Sequence, residues 1–162
     1  MNFKKGIEVM RIYLSASLLI LASVSSLGQN YRKDELVTFK WARKNQTIAT
    51  IQVPTGYVEE TESYREGLKT MLTYPDGSYI ILHIGGMIKL PFFAEPRHQV
   101  REKQILHNQI IRSGNVQNTK LFWREANSQR TWPPTNIGYT NVPANRLRLF
   151  EQSLSSFARA KQ

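Results

Sequence analysis

Histidines and carboxylates are the side chains of this chain that could carry acid–base or metal chemistry. The histidines are His83, His98 and His107, and no H-E-x-x-H or H-x-H pattern joins them. A histidine metal site therefore has no sequence support. No G-x-S-x-G or S-x-x-K pattern is present either, so a serine nucleophile lacks its usual local context. The sequence predicts no catalytic residues, no metal site and no cofactor.

A pair of carboxylates remains as a catalytic alternative, because in a glycosidase the fold and not the sequence spacing sets their separation. The candidate carboxylates are Glu66, Asp76, Glu95 and Glu125. The alternative function is thus an envelope hydrolase with a carboxylate pair near Glu66. An enzyme of this kind should have a concave pocket with converging polar groups. A binding module should instead present an exposed apolar or basic patch.

The segment spanning residues 68–86 predicts the hairpin that organises the fold. Tyr74-Pro75-Asp76-Gly77 is typical of a type I turn followed by a left-handed glycine. The resulting bulged register pairs Leu68 with Ile84, Thr70 with Leu82, Leu72 with Ile80 and Tyr74 with Ser78. A strict two-residue Asp-Gly turn would shift every pair by one residue. The bulged register is favoured because it collects the apolar residues on one face.

The remaining patterns predict a small mixed fold. Residues 46–53, 119–125 and 137–142 are typical of strands, the last two paired with each other. Residues 58–66, rich in glutamate, fit either a short helix or an exposed strand. Residues 144–160 predict a closing helix, with Leu147, Phe150, Leu154 and Phe157 on one face and Arg159 at its C-terminal end. The predicted class is α+β, with an antiparallel sheet of about four to five strands.

A second, basic helix is predicted over residues 95–113, starting near Pro96 and stopping before Gly114. It and the closing helix are expected to pack on the sheet. Its basic residues form a candidate binding surface for an anionic partner. Trp132, beside two prolines in a predicted loop, is a further candidate because rigid aromatic side chains anchor interfaces. Phe92 and Phe93 are expected either to cap the core or to stand at a surface groove. The candidate binding residues are Arg97, Arg101, Lys103, Arg112, Phe92, Phe93 and Trp132.

The first 28 residues predict a signal peptide. Lys4, Lys5 and Arg11 precede an apolar run over residues 12–24, and Ser26-Leu27-Gly28 places small residues before a cut between Gly28 and Gln29. The alternative is a membrane anchor, but the run of about 13 residues is short of the roughly 20 that span a bilayer. Residues 29–45 are interpreted as an N-terminal arm, attached through Phe39 and Trp41, and residues 46–162 as a single α+β domain.

The charge of the chain limits the classes of partner that it is expected to bind. The sequence holds 22 basic and 12 acidic residues and no cysteine. Without residues 1–28 the net charge is about +8, and the predicted export argues against a nucleic-acid partner. The expected partner is an envelope protein, a glycan or an anionic lipid surface. The absence of cysteine excludes disulfides, thiol nucleophiles and a lipid-anchoring cysteine.

The V-P-T-G-Y run at residues 53–57, the Y-P-D-G-S-Y-I hairpin and the closing F-E-x-x-L helix carry a family resemblance. The chain resembles small exported bacterial proteins of unknown function and is similar to the PsbP/Mog1-type α/β sandwich. That resemblance implies a binding or assembly role without catalytic residues. The sequence thus predicts an exported, non-enzymatic binding or accessory protein of the cell envelope, periplasmic or secreted. A basic module on an anionic membrane surface is a further alternative.

Overall fold

The computed structural model describes residues 35–86, 97–106, 109–128 and 133–160. Of these residues, 65% lie in strands and 11% in helical turns, so the predicted α+β class is wrong and the fold is mostly β. The strands, in chain order, are β1 (Leu36–Arg43), β2 (Gln46–Pro54), β3 (Val58–Tyr64), β4 (Gly67–Thr73), β5 (Tyr79–Gly85), β6 (His98–Leu106), β7 (Gln109–Val116), β8 (Phe122–Ser128), β9 (Thr135–Val142) and β10 (Ala158–Arg159). A 3-10 turn (Ala144–Arg146) leads into helix α1 (Leu147–Ser155).

The described strands form two sheets instead of one sheet of four to five strands. The smaller sheet has the order β1-β2-β10, and the larger has the order β3-β4-β5-β9-β8-β7-β6. Every paired neighbour in both sheets is antiparallel. Because seven strands alternate in direction, the two edge strands of the larger sheet, β3 and β6, run the same way.

The main core lies between the two sheets. Phe39, Trp41 and Ile51 of the smaller sheet pack with residues such as Leu72 and Leu82 of the larger one. Each of these five side chains is at most 8% exposed. Side chains alternate between the faces of a strand, so the same strands also present a second set of side chains away from the smaller sheet. We call that opposite side of the seven-stranded sheet the outer face.

One polar bond is built into this apolar core. The indole Nε1 of Trp41 donates to Thr70 Oγ1 at 3.0 Å, and Thr70 Oγ1 lies 2.8 Å from Thr61 Oγ1. Thr70 is fully buried, so without such partners its hydroxyl would carry a desolvation cost. The bond therefore fixes β1 against β4 in one position.

The predicted hairpin is confirmed down to its register. Leu68 pairs with Ile84, Thr70 with Leu82 and Leu72 with Ile80. Gly77 has a φ of +79°, its amide donates to the Tyr74 carbonyl at 2.9 Å, and the Tyr74 amide donates to Ser78. These are the bonds of the bulged turn, so local turn chemistry and the apolar face agree on one register.

The predicted basic helix over residues 95–113 is wrong, because the described part of this segment forms β6 and most of β7, paired as a hairpin. The residue types of β6 favour a helix, but pairing with β7 overrides that local preference. The ladder shifts between Val100 and Glu102, opposite Gly114. A Cβ at Gly114 would overlap the Gln99 carbonyl oxygen, so this glycine permits the bulge and does not stop a helix.

Both termini of the described domain also add strands. The segment interpreted as an N-terminal arm contains β1, in which Phe39 and Trp41 are buried at every second position. The closing helix is shorter than predicted and ends at Ser155, so Phe157 follows it and packs on the core from outside the helix. The chain then returns to β2, where Ala158 pairs with Thr50. The 58–66 segment takes the strand form of its two predicted alternatives.

Arg146 joins the hairpin turn to the start of α1. Its Nη1 donates to Asp76 Oδ2 at 2.6 Å, and its guanidinium lies 4.9 Å from the Tyr74 ring centre and 5.1 Å from that of Phe150. Asp76 also accepts from the Ser78 amide and hydroxyl at 3.1 and 2.5 Å. Burial alone would raise the pKa of Asp76, but these bonds from Ser78 and Arg146 outweigh it and lower the pKa.

Replacing Phe150 by Asp should abolish the cooperative thermal transition. Phe150 is fully buried between the rings of Tyr74 and Tyr139, so the change removes a large apolar contact and buries a carboxylate. The cost should be at least about 4 kcal/mol. Circular dichroism during heating measures the transition. Arg148→Asp, on the exposed side of the same helix, is the control and should melt like the wild type; an unchanged transition in Phe150→Asp would contradict the packing of α1.

Replacing Asp76 by Asn should lower stability at neutral pH by roughly 1 to 2 kcal/mol, because the charged partner of Arg146 is lost. Since the folded pKa of Asp76 is lowered, its contribution is complete above the ordinary carboxyl pKa of about 4 and is lost as pH falls through the folded value. The difference between wild type and variant should therefore shrink in acid. Urea unfolding across a pH series measures it, and a difference that stays constant would contradict the ionic bond.

Candidate functional site

A cavity of about 440 Å³ opens at one end of the two sheets. The register places Gly67 opposite Gly85 and Ile84 opposite Thr135, so this end holds the β3–β4 turn and the segment entering β9. It is the end opposite the Tyr74–Ser78 turn. The lining residues are Arg43, Gln46, Thr47, Ile48, Glu66, Ile84, Gly85, Pro133, Arg159 and Ala160.

Two arginines line this cavity from the smaller sheet, and the backbone fixes both. Arg43 pairs with Gln46 across a two-residue turn in which Lys44 and Asn45 have φ values of 48° and 64°. Positive φ at both central residues is the geometry of a type I′ hairpin turn. Arg159 reaches the cavity from β10, where the chain pairs with β2. Neither position depends on a flexible loop.

Hydrogen bonds orient both guanidinium groups. Arg43 Nη2 donates to the carbonyls of Tyr64 and Arg65, each at 3.3 Å. Arg159 Nη2 donates to the carbonyl of Pro133 at 2.9 Å. Among the described residues, neither guanidinium makes a further hydrogen bond. Each therefore retains N–H donors for an incoming acceptor, and a guanidinium matches the planar shape of a carboxylate.

The rest of the cavity lining is apolar or weakly polar, with one acidic group. Ile48, Ile84 and Pro133 supply apolar surface, and Glu66 stands in the β3–β4 turn. Within the described ranges, Glu66 is the only carboxylate that lines the cavity. The arrangement provides two cations, one anion and an apolar wall, which suits recognition of a small polar molecule.

The outer face carries a second set of polar groups, arranged in rows across the strands. His83 lies opposite Asn136, and Asn136 lies opposite Asn127. These three residues, which we call the polar row, are at most 6% exposed. The side-chain amides of Asn127 and Asn136 have no hydrogen-bond partner among the described residues. Burial lowers the pKa of His83, and the nearby Glu62 opposes that shift without cancelling it.

A buried ion pair lies in the neighbouring row of the outer face. Glu125 is fully buried, and its Oε1 lies 3.1 Å from Nε of Arg112. Arg112 lies opposite Glu125 in the β7–β8 ladder, so strand pairing brings the two charges together. Taking a carboxylate out of water is costly unless it is paired, which makes Arg112 a structural partner of Glu125.

The structure brings only part of the predicted basic surface together, because Lys103 lies opposite Arg112 in the β6–β7 ladder. Arg97, Arg101 and Lys103 are exposed at or along the edge strand β6, whereas Arg112 lies on β7 and contacts Glu125. Phe92, Phe93 and Trp132, together with the predicted signal peptide, lie outside the described residues. Glu95 also lies outside them, and Glu125 lies on the outer face, away from Glu66. No group of three or more His, Asp or Glu that could hold a metal ion occurs in the described ranges.

Sequence reasoning missed both cavity arginines for an identifiable reason. Arg43 follows Phe39 and Trp41 at alternating positions, a strand pattern that would have placed it at a strand end. Arg159 was assigned to the end of a helix, where a cation complements the dipole, but the helix ends earlier and Arg159 lies on β10. The two residues are more than a hundred positions apart, so no spacing pattern links them.

Comparisons with known protein families, with curated proteins and with solved structures give no match for this chain. The likeness to PsbP/Mog1-type sandwiches therefore remains a resemblance of short motifs. Within the described ranges, the helices are too short or too polar to cross a membrane.

Replacing Arg112 by Met should destabilise the protein by about 3 to 5 kcal/mol, because it removes the cation that lies 3.1 Å from the buried carboxylate of Glu125. Chemical unfolding provides the measurement. Arg101→Met, at an exposed position of β6, is the matched control and should change stability by less than about 0.5 kcal/mol.

The double variant Arg112→Met/Glu125→Leu should recover much of the loss, because it removes both charges together. If Arg112→Met and Arg101→Met change the free energy of unfolding equally, Arg112 is not a buried partner of Glu125. It would then belong with the exposed basic residues.

Proposed function

We propose that this chain is an exported, non-enzymatic binding protein that holds a small carboxylate-bearing molecule in the cavity lined by Arg43 and Arg159. The observation that carries the proposal is the pair of guanidinium groups, each tied to a backbone carbonyl, on one cavity of about 440 Å³. That volume lies within the range of pockets that hold small ligands. The export part of the proposal is supported by the basic, apolar and small-residue segments of residues 1–28.

Preorganisation is the physical reason why this cavity is suited to an anion. A flexible arginine loses side-chain freedom when it captures a ligand, and that loss subtracts from affinity. The bonds from Arg43 to Tyr64 and Arg65, and from Arg159 to Pro133, restrict both side chains before any ligand arrives. A carboxylate can then accept from the remaining N–H groups at a smaller entropic cost.

Glu66 narrows the ligand class further. A purely anionic molecule would meet one repulsive carboxylate in the cavity, whereas a molecule with a carboxylate and an ammonium group could place each against an opposite charge. Amino acids and short peptides have this charge pattern, and the apolar wall of Ile48, Ile84 and Pro133 accepts their aliphatic parts. The proposed ligand is therefore a small zwitterion of the amino-acid or short-peptide type.

The hydrolase alternative needs two carboxylates flanking the bond to be cleaved. Glu66 is the only acidic side chain that lines the cavity, so the described residues do not supply the second group there. The membrane-surface alternative was based on a basic helix, and the described part of that segment is a pair of strands with Arg112 turned to Glu125. Neither alternative has an observation that favours it over ligand binding.

The dipeptide Ala-Ala provides a direct probe of this proposal. Isothermal titration calorimetry should detect binding of the free dipeptide, and the C-terminally amidated form should bind at least roughly tenfold more weakly because it lacks the carboxylate. The N-acetylated form lacks the ammonium group that would face Glu66, so it should also bind more weakly than the free dipeptide. Arg159→Met and Arg43→Met should each weaken binding of the free dipeptide. Arg148→Met, on the exposed side of α1, should leave that binding unchanged.

The pattern across these probes tests the proposal more sharply than affinity alone. Equal binding of the free and amidated dipeptides would show that the arginines do not select a carboxylate. If glutarate binds and every dipeptide fails, the cavity is an anion site and the role assigned to Glu66 is wrong. If none of the probes binds to protein with a normal thermal transition, the small-zwitterion proposal is overturned.

A further inference from the structure

Among the described strands, the seven-stranded sheet ends in two edge strands of opposite charge. The outer strands β3 and β6 each pair on one side only within the described part of the chain. Every residue of β3 from Val58 to Ser63 is exposed, and so is every residue of β6 after His98. An exposed strand edge presents unpaired N–H and C=O groups to any other strand that can reach it.

The charges on the two edges are complementary. Strand β3 carries the exposed carboxylates Glu59, Glu60 and Glu62, with no basic residue between them. Strand β6 carries Arg101 and Lys103, and Arg97 precedes it. Glu102 is the exception on β6, and it accepts from Gln104 Nε2 on its own strand. Two β3 edges would repel each other, whereas β3 and β6 attract.

Strand register shows that the complementary residues lie on the same face and at the same height. One row of cross-strand partners runs over the whole outer face, consisting of Glu60, Met71, Ile81, Gly138, Glu125, Arg112 and Lys103. The row therefore begins with a carboxylate at one edge of the sheet and ends with an ammonium group at the other.

The flanking positions agree with this row. The next line of cross-strand partners includes the three residues of the polar row. It begins with Glu62 at the β3 edge and ends with Ile105 at the β6 edge. On the other side, Val58 stands at the β3 edge and Val100 at the β6 edge, 64% and 53% exposed. Ile105 is 72% exposed. Large apolar side chains on a free edge invite pairing with another strand.

We propose that copies of this chain associate head to tail, with β3 of one copy pairing with β6 of the next. The two strands run in the same direction in the sheet, so a translated copy joins them in parallel and keeps the outer face on the same side. Continuing the rows places Lys103 beside Glu60 and Val100 beside Val58 of the neighbour. The contact is heterologous, so it extends to chains and does not close as a symmetric dimer.

The bulge and the charges could instead serve only to keep the edges apart, as natural sheets often do. Opposite signs on the two edges argue for association, because edges of one sign would prevent every pairing. The existing pair of Glu62 with Lys69, at 3.9 Å and exposed, is too weak to withhold this glutamate from a new partner.

Sedimentation velocity tests this proposal. The sample is the full chain, expressed in cells and purified in the form that the cells produce. The sedimentation coefficient should rise with protein concentration at low salt and fall back toward the monomer value at high salt. Arg101→Glu/Lys103→Glu makes both edges acidic, and Glu60→Lys/Glu62→Lys makes both basic. Each variant alone should associate at least roughly tenfold more weakly than the wild type, and an equal mixture of the two should associate again.

Two further variants separate edge pairing from general charge effects. Arg148→Glu/Lys120→Glu alters net charge as much as the acidic β6 variant but lies away from both edges, and it should associate like the wild type. The chain with all four edge substitutions has a basic β3 and an acidic β6, and it should associate again. A monomeric wild type, a mixture that stays monomeric, or edge variants that associate normally would each overturn head-to-tail pairing.

Discussion

One end of this fold, the end that holds the Tyr74–Ser78 turn, is closed, and it depends on the bond between Arg146 and Asp76. Asp76 completes the β4–β5 turn by accepting from Ser78, and Arg146 stands immediately before α1. The guanidinium also covers the rings of Tyr74 and Phe150, so one cation contacts the turn, the core and the helix together. A cation over an aromatic face adds attraction to the packing. The helix is thereby fixed to the hairpin and not merely laid on the sheet.

Further polar bonds extend this closed end to the remaining elements. Tyr139 donates from β9 to Glu151 of α1, and Glu151 also pairs with Arg124 of β8. Burial, together with the adjacent Glu151 carboxylate, raises the pKa of Tyr139, which keeps its hydroxyl a donor. Tyr74 donates to the carbonyl of Pro54 at 3.1 Å, which ties β2 to the same cluster. Both sheets and the helix are joined at one end, so the opposite end can open into a cavity without loosening the fold.

What could be predicted from the sequence depends on how local each signal is. The hairpin was predicted to its register because Pro75, Asp76 and Gly77 specify the turn and the flanking residues alternate. Strand β6 was misread because Glu102, Lys103 and Gln104 favour a helix, and only pairing with β7 makes them a strand. Strand β1 did carry an alternating signal at Val37, Phe39 and Trp41, hidden by the charged residues around it. Arg43 and Arg159 could not be linked, because only the fold brings the ends of β1 and β10 together.

The two proposed interactions use perpendicular directions of the same sheet. The cavity opens where strands end, since Arg43, Glu66 and Gly85 lie at the termini or turns of their strands. The charged edges lie along the lengths of β3 and β6, at the two sides of the sheet. Adding copies sideways therefore leaves the strand ends of each copy accessible, and every copy in a chain presents its cavity on the same side. A row of parallel, identical sites would bind a ligand with several zwitterionic groups far more tightly than one copy could, because later contacts form at high effective concentration.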